Sequence, residues 1–192
     1  MSYATFEQLE SQVFKKAKKR RVAVVEAADA HVLEAVRHAV EVGLVDPLLF
    51  GKRADVEARM AAMDMDITAW EIADCPEPAD SALQAGIAVK EGRADFILKG
   101  LIPTGQLLKG LFKEETGFRT GRLISHMNIV QLRTYPKLLA LCDAAINIAP
   151  TLEQKKDILQ NAVDSLTRMG ISQPKVAVLA SAETVNEKMP ES

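Results

Sequence analysis

The stretch Phe96-Ile97-Leu98-Lys99-Gly100-Leu101-Ile102-Pro103-Thr104-Gly105 decides how this chain is read. An apolar run stops at a lysine and a glycine, the chain turns, and a helix opens at Thr104. The segment is therefore expected to be a buried strand that runs into a helix N-terminus, with Thr104 in the ordinary role of an N-cap. In an open α/β sheet, ligands bind outside the carboxyl ends of strands, and the unpaired N–H groups of a helix N-terminus favour anions. Backbone amides, a hydroxyl and the Lys99 ammonium come together here, a combination that suits phosphate.

The same alternation extends to both sides. Arg21-Val22-Ala23-Val24-Val25 and Pro47-Leu48-Leu49-Phe50-Gly51 are continuous apolar strands, the pattern of a strand covered on both faces, and Trp70-Glu71-Ile72-Ala73 is a weaker one. An amphipathic helix over Thr5–Lys19, with Phe6, Leu9, Val13 and Ala17 on one face, precedes the first strand. Asp29 caps the next helix, whose stripe is Val32, Leu33, Val36, Ala39 and Val40, and Gly43 ends it. Further helices are expected over Ala54–Met63, about Ala79–Glu91 with Gly92 as cap, and Thr104 to about Lys113. Strands alternating with helices argue for βαβ units: an α/β fold with a parallel sheet and helices on both faces.

The pattern changes after Lys113. Glu114–Arg122 carries glycines at 117 and 121, little apolar content and no period, so it reads as a mobile connection. It separates an N-terminal α/β domain, 1–120, from the start of a second, 121–192. Met127–Leu132 and Leu138–Leu141, joined by Arg133-Thr134-Tyr135-Pro136-Lys137, suggest an antiparallel hairpin. Thr151 with Gln154 forms a capping-box pattern at the start of a helix to Met169, which Gly170 ends. Lys175-Val176-Ala177-Val178-Leu179 is expected to be a last buried strand. Such a strand is normally followed by a covering helix, so the second domain is expected to be incomplete.

Composition narrows the function. Of 192 residues, 48% are hydrophobic and the formal net charge is −2, which gives no electrostatic argument for nucleic acid or an anionic membrane. The basic run Lys15–Arg21 closes the first helix, where cations complement the dipole. No apolar run approaches the ~20 residues that span a bilayer, and the first residues lack the pattern of a signal peptide. Cys75 and Cys142 lie in no CxxC or Cys/His cluster, which fits structural thiols in a reducing cytoplasm and no metal site. Glu26-Ala27-Ala28-Asp29, not GxGxxG, follows the first strand, which argues against a pyridine-nucleotide oxidoreductase.

Several segments in register resemble the phosphate acetyltransferase/phosphate butyryltransferase family, the butyryl branch more than the acetyl one. They are Ala94–Leu101 with Thr104; Gly117-Phe118-Arg119-Thr120-Gly121-Arg122-Leu123-Ile124-Ser125-His126; Asp143-Ala144-Ala145-Ile146-Asn147-Ile148-Ala149-Pro150; Lys175–Leu179; and Glu183–Pro190. The resemblance runs from about Arg21 to the last residue. It implies a two-domain architecture like that of the isocitrate/isopropylmalate dehydrogenases, with the active site in the cleft between domains. It also implies reversible transfer of a short acyl group, butyryl or acetyl, from coenzyme A to inorganic phosphate. Family members carry a further C-terminal portion, which in the acetyl branch supplies an arginine, a serine and an aspartate to catalysis.

Such a reaction must hold phosphate, offer donors to an oxyanion and align the reactants; it needs neither metal nor cofactor, coenzyme A being substrate and product. Lys99, Gly100 and Thr104 are candidates for phosphate. Arg119 and Arg122 are candidates for the coenzyme A phosphates, because Arg suits phosphate recognition, although arginines on a solvated loop are common. Ser125, His126 and Asn147 are the catalytic candidates, a histidine because it titrates near neutrality. The plainer reading makes His126 a backbone-bonded residue at a strand start and Asn147 part of an Asx turn before Pro150. Thr184, Asn186 and Lys188 occupy the loop after the last expected strand, another ligand position. Two alternatives stay open: an acyl-carrier-protein:phosphate acyltransferase-like enzyme, or a non-catalytic fragment that binds coenzyme A or phosphate. The small-molecule enzyme is expected in the cytoplasm as a homo-oligomer.

Overall fold

The computed structural model describes residues 3–15, 19–180 and 182–188, and the chain divides into two compact units. One is Glu10–Arg122; the other joins the described residues up to Leu9 to those from Leu123 onward.

In the first unit the strands β1 (Arg20–Val25), β2 (Val45–Gly51), β3 (Glu71–Asp74) and β4 (Phe96–Lys99) form one parallel sheet in the order β3-β2-β1-β4. The α/β class with a parallel sheet is as the sequence predicts. Successive strand residues point to opposite faces, and the apolar runs fill both. Val22, Val24 and Leu49 pack with Leu33 and Val36 of helix α1 (Ala30–Glu41) and with Val56 and Met60 of α2 (Arg53–Ala61). On the other face Ala23, Val25, Leu48 and Phe50 pack with Ala82, Ala85 and Ala88 of α3 (Pro78–Lys90) and Leu107 of α4 (Thr104–Leu111). Helices α3 and α4 approach so closely that a Cβ on Gly110 would lie 2.5 Å from the Ala82 Cβ.

Pro47 sits in a central strand without harm. The register turns residues 47, 49 and 51 of β2 toward β3, and β3 begins only opposite Leu48. The N–H that proline lacks would have had no partner there. Asp29 caps α1 as expected, its carboxylate accepting from the N–H groups of His31 and Val32.

Three expectations are corrected in this unit. β4 is an edge strand, paired only with β1 among the described residues, so Phe96 and Leu98 are exposed rather than buried. Thr104 is the first residue inside its helix, not its N-cap; Pro103 holds that position, with no capping side chain. Glu114–Thr116 is a turn of 3₁₀ helix, not a structureless connection: Thr116 is buried and its hydroxyl donates to the carbonyls of Leu111 and Lys113. The basic run is also redistributed. The helix is described over Phe6–Lys15 and so includes the first residue of the run, residues 16–18, Ala17 among them, lie outside the described residues, and Arg20 and Arg21 begin β1, paired with Asp95 and Glu71.

In the second unit β5 (Met127–Val130) and β6 (Leu139–Cys142) form the expected antiparallel hairpin. Helix α5 (Leu152–Arg168) opens on the predicted capping box: Thr151 Oγ1 accepts from the Gln154 N–H, and Gln154 Oε1 from the Thr151 N–H. Lys175–Leu179 forms no strand, and Val178 and Leu179 are exposed. A strand exists through its neighbours, and among the described residues none pairs with this segment. Cys142 is exposed, against its expected place as a structural thiol; Cys75 is buried.

Candidate active site

The sheet order reverses between β1 and β4, since β1, β2 and β3 run one way across the sheet and β4 lies on the far side of β1. The carboxyl ends of β1 and β4 are therefore the topological switch point, where a ligand crevice opens in folds of this class. Lys99 and Gly100 lie there. The Gly100 N–H donates to the Val25 carbonyl and the Leu101 N–H to that of Glu26. A Cβ at Gly100 would stand 2.3 Å from the Glu26 carbonyl oxygen and 2.4 Å from that of Val25, so only glycine fits.

Glu26 itself adopts a left-handed conformation, φ 55°, which costs a side-chain-bearing residue energy that its surroundings must offset. Its carboxylate accepts a hydrogen bond from the buried Ser81 hydroxyl of α3, which fixes it there. Sequence reasoning passed over Glu26, because positive φ has no signature in a residue that is not glycine.

Helices α1 and α4 both begin at this end of the sheet, and they differ. The N–H groups that open α1 are occupied by Asp29, whereas α4 follows Pro103 and no side chain caps it. Thr104, exposed, stands in that first turn and Lys99 ends the neighbouring strand, its Nζ making among the described residues only a long 3.4 Å contact to the Gly100 carbonyl. An uncapped N-terminus beside an ammonium can receive an anion; one filled by a carboxylate cannot. Arg119 and Arg122 are exposed on the coil that follows the 3₁₀ turn.

In the second unit Ser125 and His126 end the segment that leads into β5. The segment is held by side chains, not by a strand neighbour. On one side the His126 N–H donates to Asp143 Oδ2 at 3.0 Å, and the Asn147 amide donates to the Ile124 carbonyl at 2.9 Å and to Asp143 Oδ2 at 2.6 Å. On the other, α5 supplies Asp157 Oδ2, which accepts from the Leu123 N–H, and Asn161, which donates to the Leu123 carbonyl and to Ser125 Oγ.

Asp143 is the centre of this arrangement, since its other oxygen accepts from the N–H groups of Ala145 and Ile146. Burial alone would raise its carboxyl. The donors from Ile146, Ala145, His126 and Asn147 outweigh that and hold it well below the usual carboxylate range. The Asx turn is thus made by Asp143. Both N–H bonds of the Asn147 amide are committed to protein acceptors, which leaves its carbonyl oxygen as the group it can offer a ligand. Nδ1 of His126 is buried and has no hydrogen-bond partner, alone in this among the side chains of the described residues. Such atoms are rare in folded proteins.

Thr184, Asn186 and Lys188 are exposed and follow no strand; Asn186 Oδ1 accepts from the Lys188 N–H, a local turn. Although Cys142 is exposed, desolvation of its thiol and then the Asp143 charge push its titration up, away from the thiolate a nucleophile needs. No group of His, Cys, Asp and Glu residues that could hold a metal ion occurs among the described residues, and no helix among them is long and apolar enough to cross a membrane.

The family described as "Phosphate acetyl/butaryl transferase" matches residues 5–81 and 76–192. The chain belongs to this family. It is 37% identical to the phosphate butyryltransferase of Clostridium acetobutylicum over 171 residues, covering 89% of this chain and 57% of that protein. It is 36% identical to the phosphate acetyltransferase of Thermotoga maritima, covering 90% of this chain and 58% of that one. Among solved structures, a branched-chain phosphotransacylase from Enterococcus faecalis superposes with a TM-score of 0.74 at 29% identity, over 90% of this chain and 60% of the other. The chain thus spans somewhat less than three fifths of the length of these curated relatives.

Proposed function

We propose that this chain takes part in the reversible transfer of a short acyl group between coenzyme A and inorganic phosphate, with coenzyme A as substrate and product and no further cofactor. The observation that carries this reading is the family match along nearly the whole chain, to butyryl- and acetyltransferases alike. The residues suit the chemistry. Lys99 and the uncapped N-terminus of α4 at Thr104 hold phosphate by charge and by N–H donors. Arg119 and Arg122 serve the phosphates of coenzyme A. A phosphate oxygen attacks the thioester carbonyl directly; the C–O bond forms, the C–S bond breaks, and the leaving thiolate takes up a proton. Ser125 and His126 offer hydrogen bonds to the oxyanion that develops, and Asn147 keeps the Ser125–His126 segment in place. The architecture proposed for the whole is that of the isocitrate/isopropylmalate dehydrogenases.

The test is release of free coenzyme A from butyryl-CoA and acetyl-CoA, with and without phosphate. It is run on the 192-residue chain and, where the gene encodes more, on its full product. Phosphate-dependent release is expected. A full product that releases none would sink the reading, while activity confined to the longer form would show that residues outside this sequence complete the site.

A further inference from the structure

The clamp on the Ser125–His126 segment assigns a direction to a proton. Asp157 and Asn161 are four residues apart on α5 and so lie on one face of it. They take the N–H and the C=O of Leu123 as a neighbouring strand would, at 3.4 and 2.8 Å. The atom of Asn161 that faces the Leu123 carbonyl must be the amide nitrogen, because a carbonyl only accepts. The same nitrogen lies 3.0 Å from Ser125 Oγ. Its second hydrogen therefore goes to the serine oxygen, which is an acceptor in this bond. The hydroxyl proton must point away from Asn161, and no other described residue accepts it. Ile158 and Ala162, both buried, anchor this stretch of α5, so the amide is carried by a fixed element rather than a loop.

We propose that Asn161 is a positioning residue for acyl transfer: by occupying a lone pair of Ser125 Oγ it presents the Ser125 proton to an oxygen of the acyl or phosphoryl reactant. This rests on the function proposed above and extends it to a residue of the long helix. A hydroxyl left to rotate would spend part of its time with the proton turned back, and a donor fixed beforehand needs no reorganisation as charge develops.

The test is a double-mutant cycle in kcat, in whichever form of the protein releases coenzyme A: wild type, Asn161→Asp, Ser125→Ala and both together. A carboxylate at position 161 accepts from the serine and turns its proton inward. Asn161→Asp is expected to lower kcat about tenfold or more in the wild type and less than about twofold beside Ser125→Ala, because the two act as a unit. Asn161→Ala serves in its place should the aspartate variant not fold, with the same non-additivity expected. Equal losses in both backgrounds would reduce Asn161 to a tie for the Leu123 carbonyl and overturn the proposal, as would Ser125→Ala at full kcat. Wild-type protein without phosphate-dependent release fails earlier, in the function itself, and takes this inference with it.

Discussion

The two units fix their backbones by different means. In Glu10–Arg122 a four-stranded sheet carries apolar side chains on both faces, and Phe50 is the largest of those that are fully buried. In the second unit Ile158 and Ala162 are the buried hydrophobic side chains among the described residues. There the segment that bears Ser125 and His126 is placed by Asp143, Asn147, Asp157 and Asn161. Burial is tolerant of direction, because apolar contact holds a strand without specifying where a proton points. Hydrogen bonds from carboxylates and amides specify atoms one by one, and each lost partner leaves another exposed to cost. The unit that carries Lys99 and Thr104 thus relies on packing, and the unit that carries Ser125 and His126 relies on polar geometry.

Breaking each mode separately tests the contrast. Phe50→Ala should have the largest effect, about 3–5 kcal/mol of stability, read from denaturant unfolding and from loss of hydrogen-exchange protection along β1 and β2. Next comes Asp143. Its carboxyl titrates lower in the folded state than the unfolded value of about 3.9, so the stabilisation is fully present above that value and fades as pH falls toward the folded one. Exchange at the Ala145 and Ile146 amides should therefore speed up in acid relative to β1. Asp143→Asn should abolish that difference in pH dependence and cost about 1–3 kcal/mol at neutral pH. An unchanged acid response in the variant would show that another group carries it. The smallest effect is expected of Thr151→Ala, about 1 kcal/mol, seen as fraying of the first turn of α5 with β1 untouched.

Most of the first unit is legible in the sequence because its signals are local. Apolar runs, the Asp29 cap, and the glycines at 43 and 92 each act over a few residues, and the structure places the elements within a residue or two. What depends on neighbours was not legible. Phe96–Lys99 and Lys175–Leu179 are as apolar as central strands, yet hydrophobicity does not say how many strands lie alongside: one became an edge and the other no strand. The candidate site divides in the same way. Ser125, His126 and Asn147 could be named, but Asp157 and Asn161 fall on a helix at positions where polar residues ordinarily face water. Only the bonds to Leu123 and Ser125 distinguish them. Asp143 was visible merely as a neighbour of Asn147, and its four donors come from the turn after it and from the segment before β5.

The edge position of β4 has a practical consequence for work with the purified chain. Among the described residues no strand pairs with its outer side, and Phe96 and Leu98 stand exposed beside it. An edge of that kind is a template for any extended segment, including one from another molecule, and natural proteins blunt such edges with lysine or a bulge. Association of the purified chain is therefore expected to rise with concentration, which light scattering over a dilution series checks. Leu98→Lys, on a side chain outside the candidate site, offers a direct way to keep the protein dispersed for the assays above.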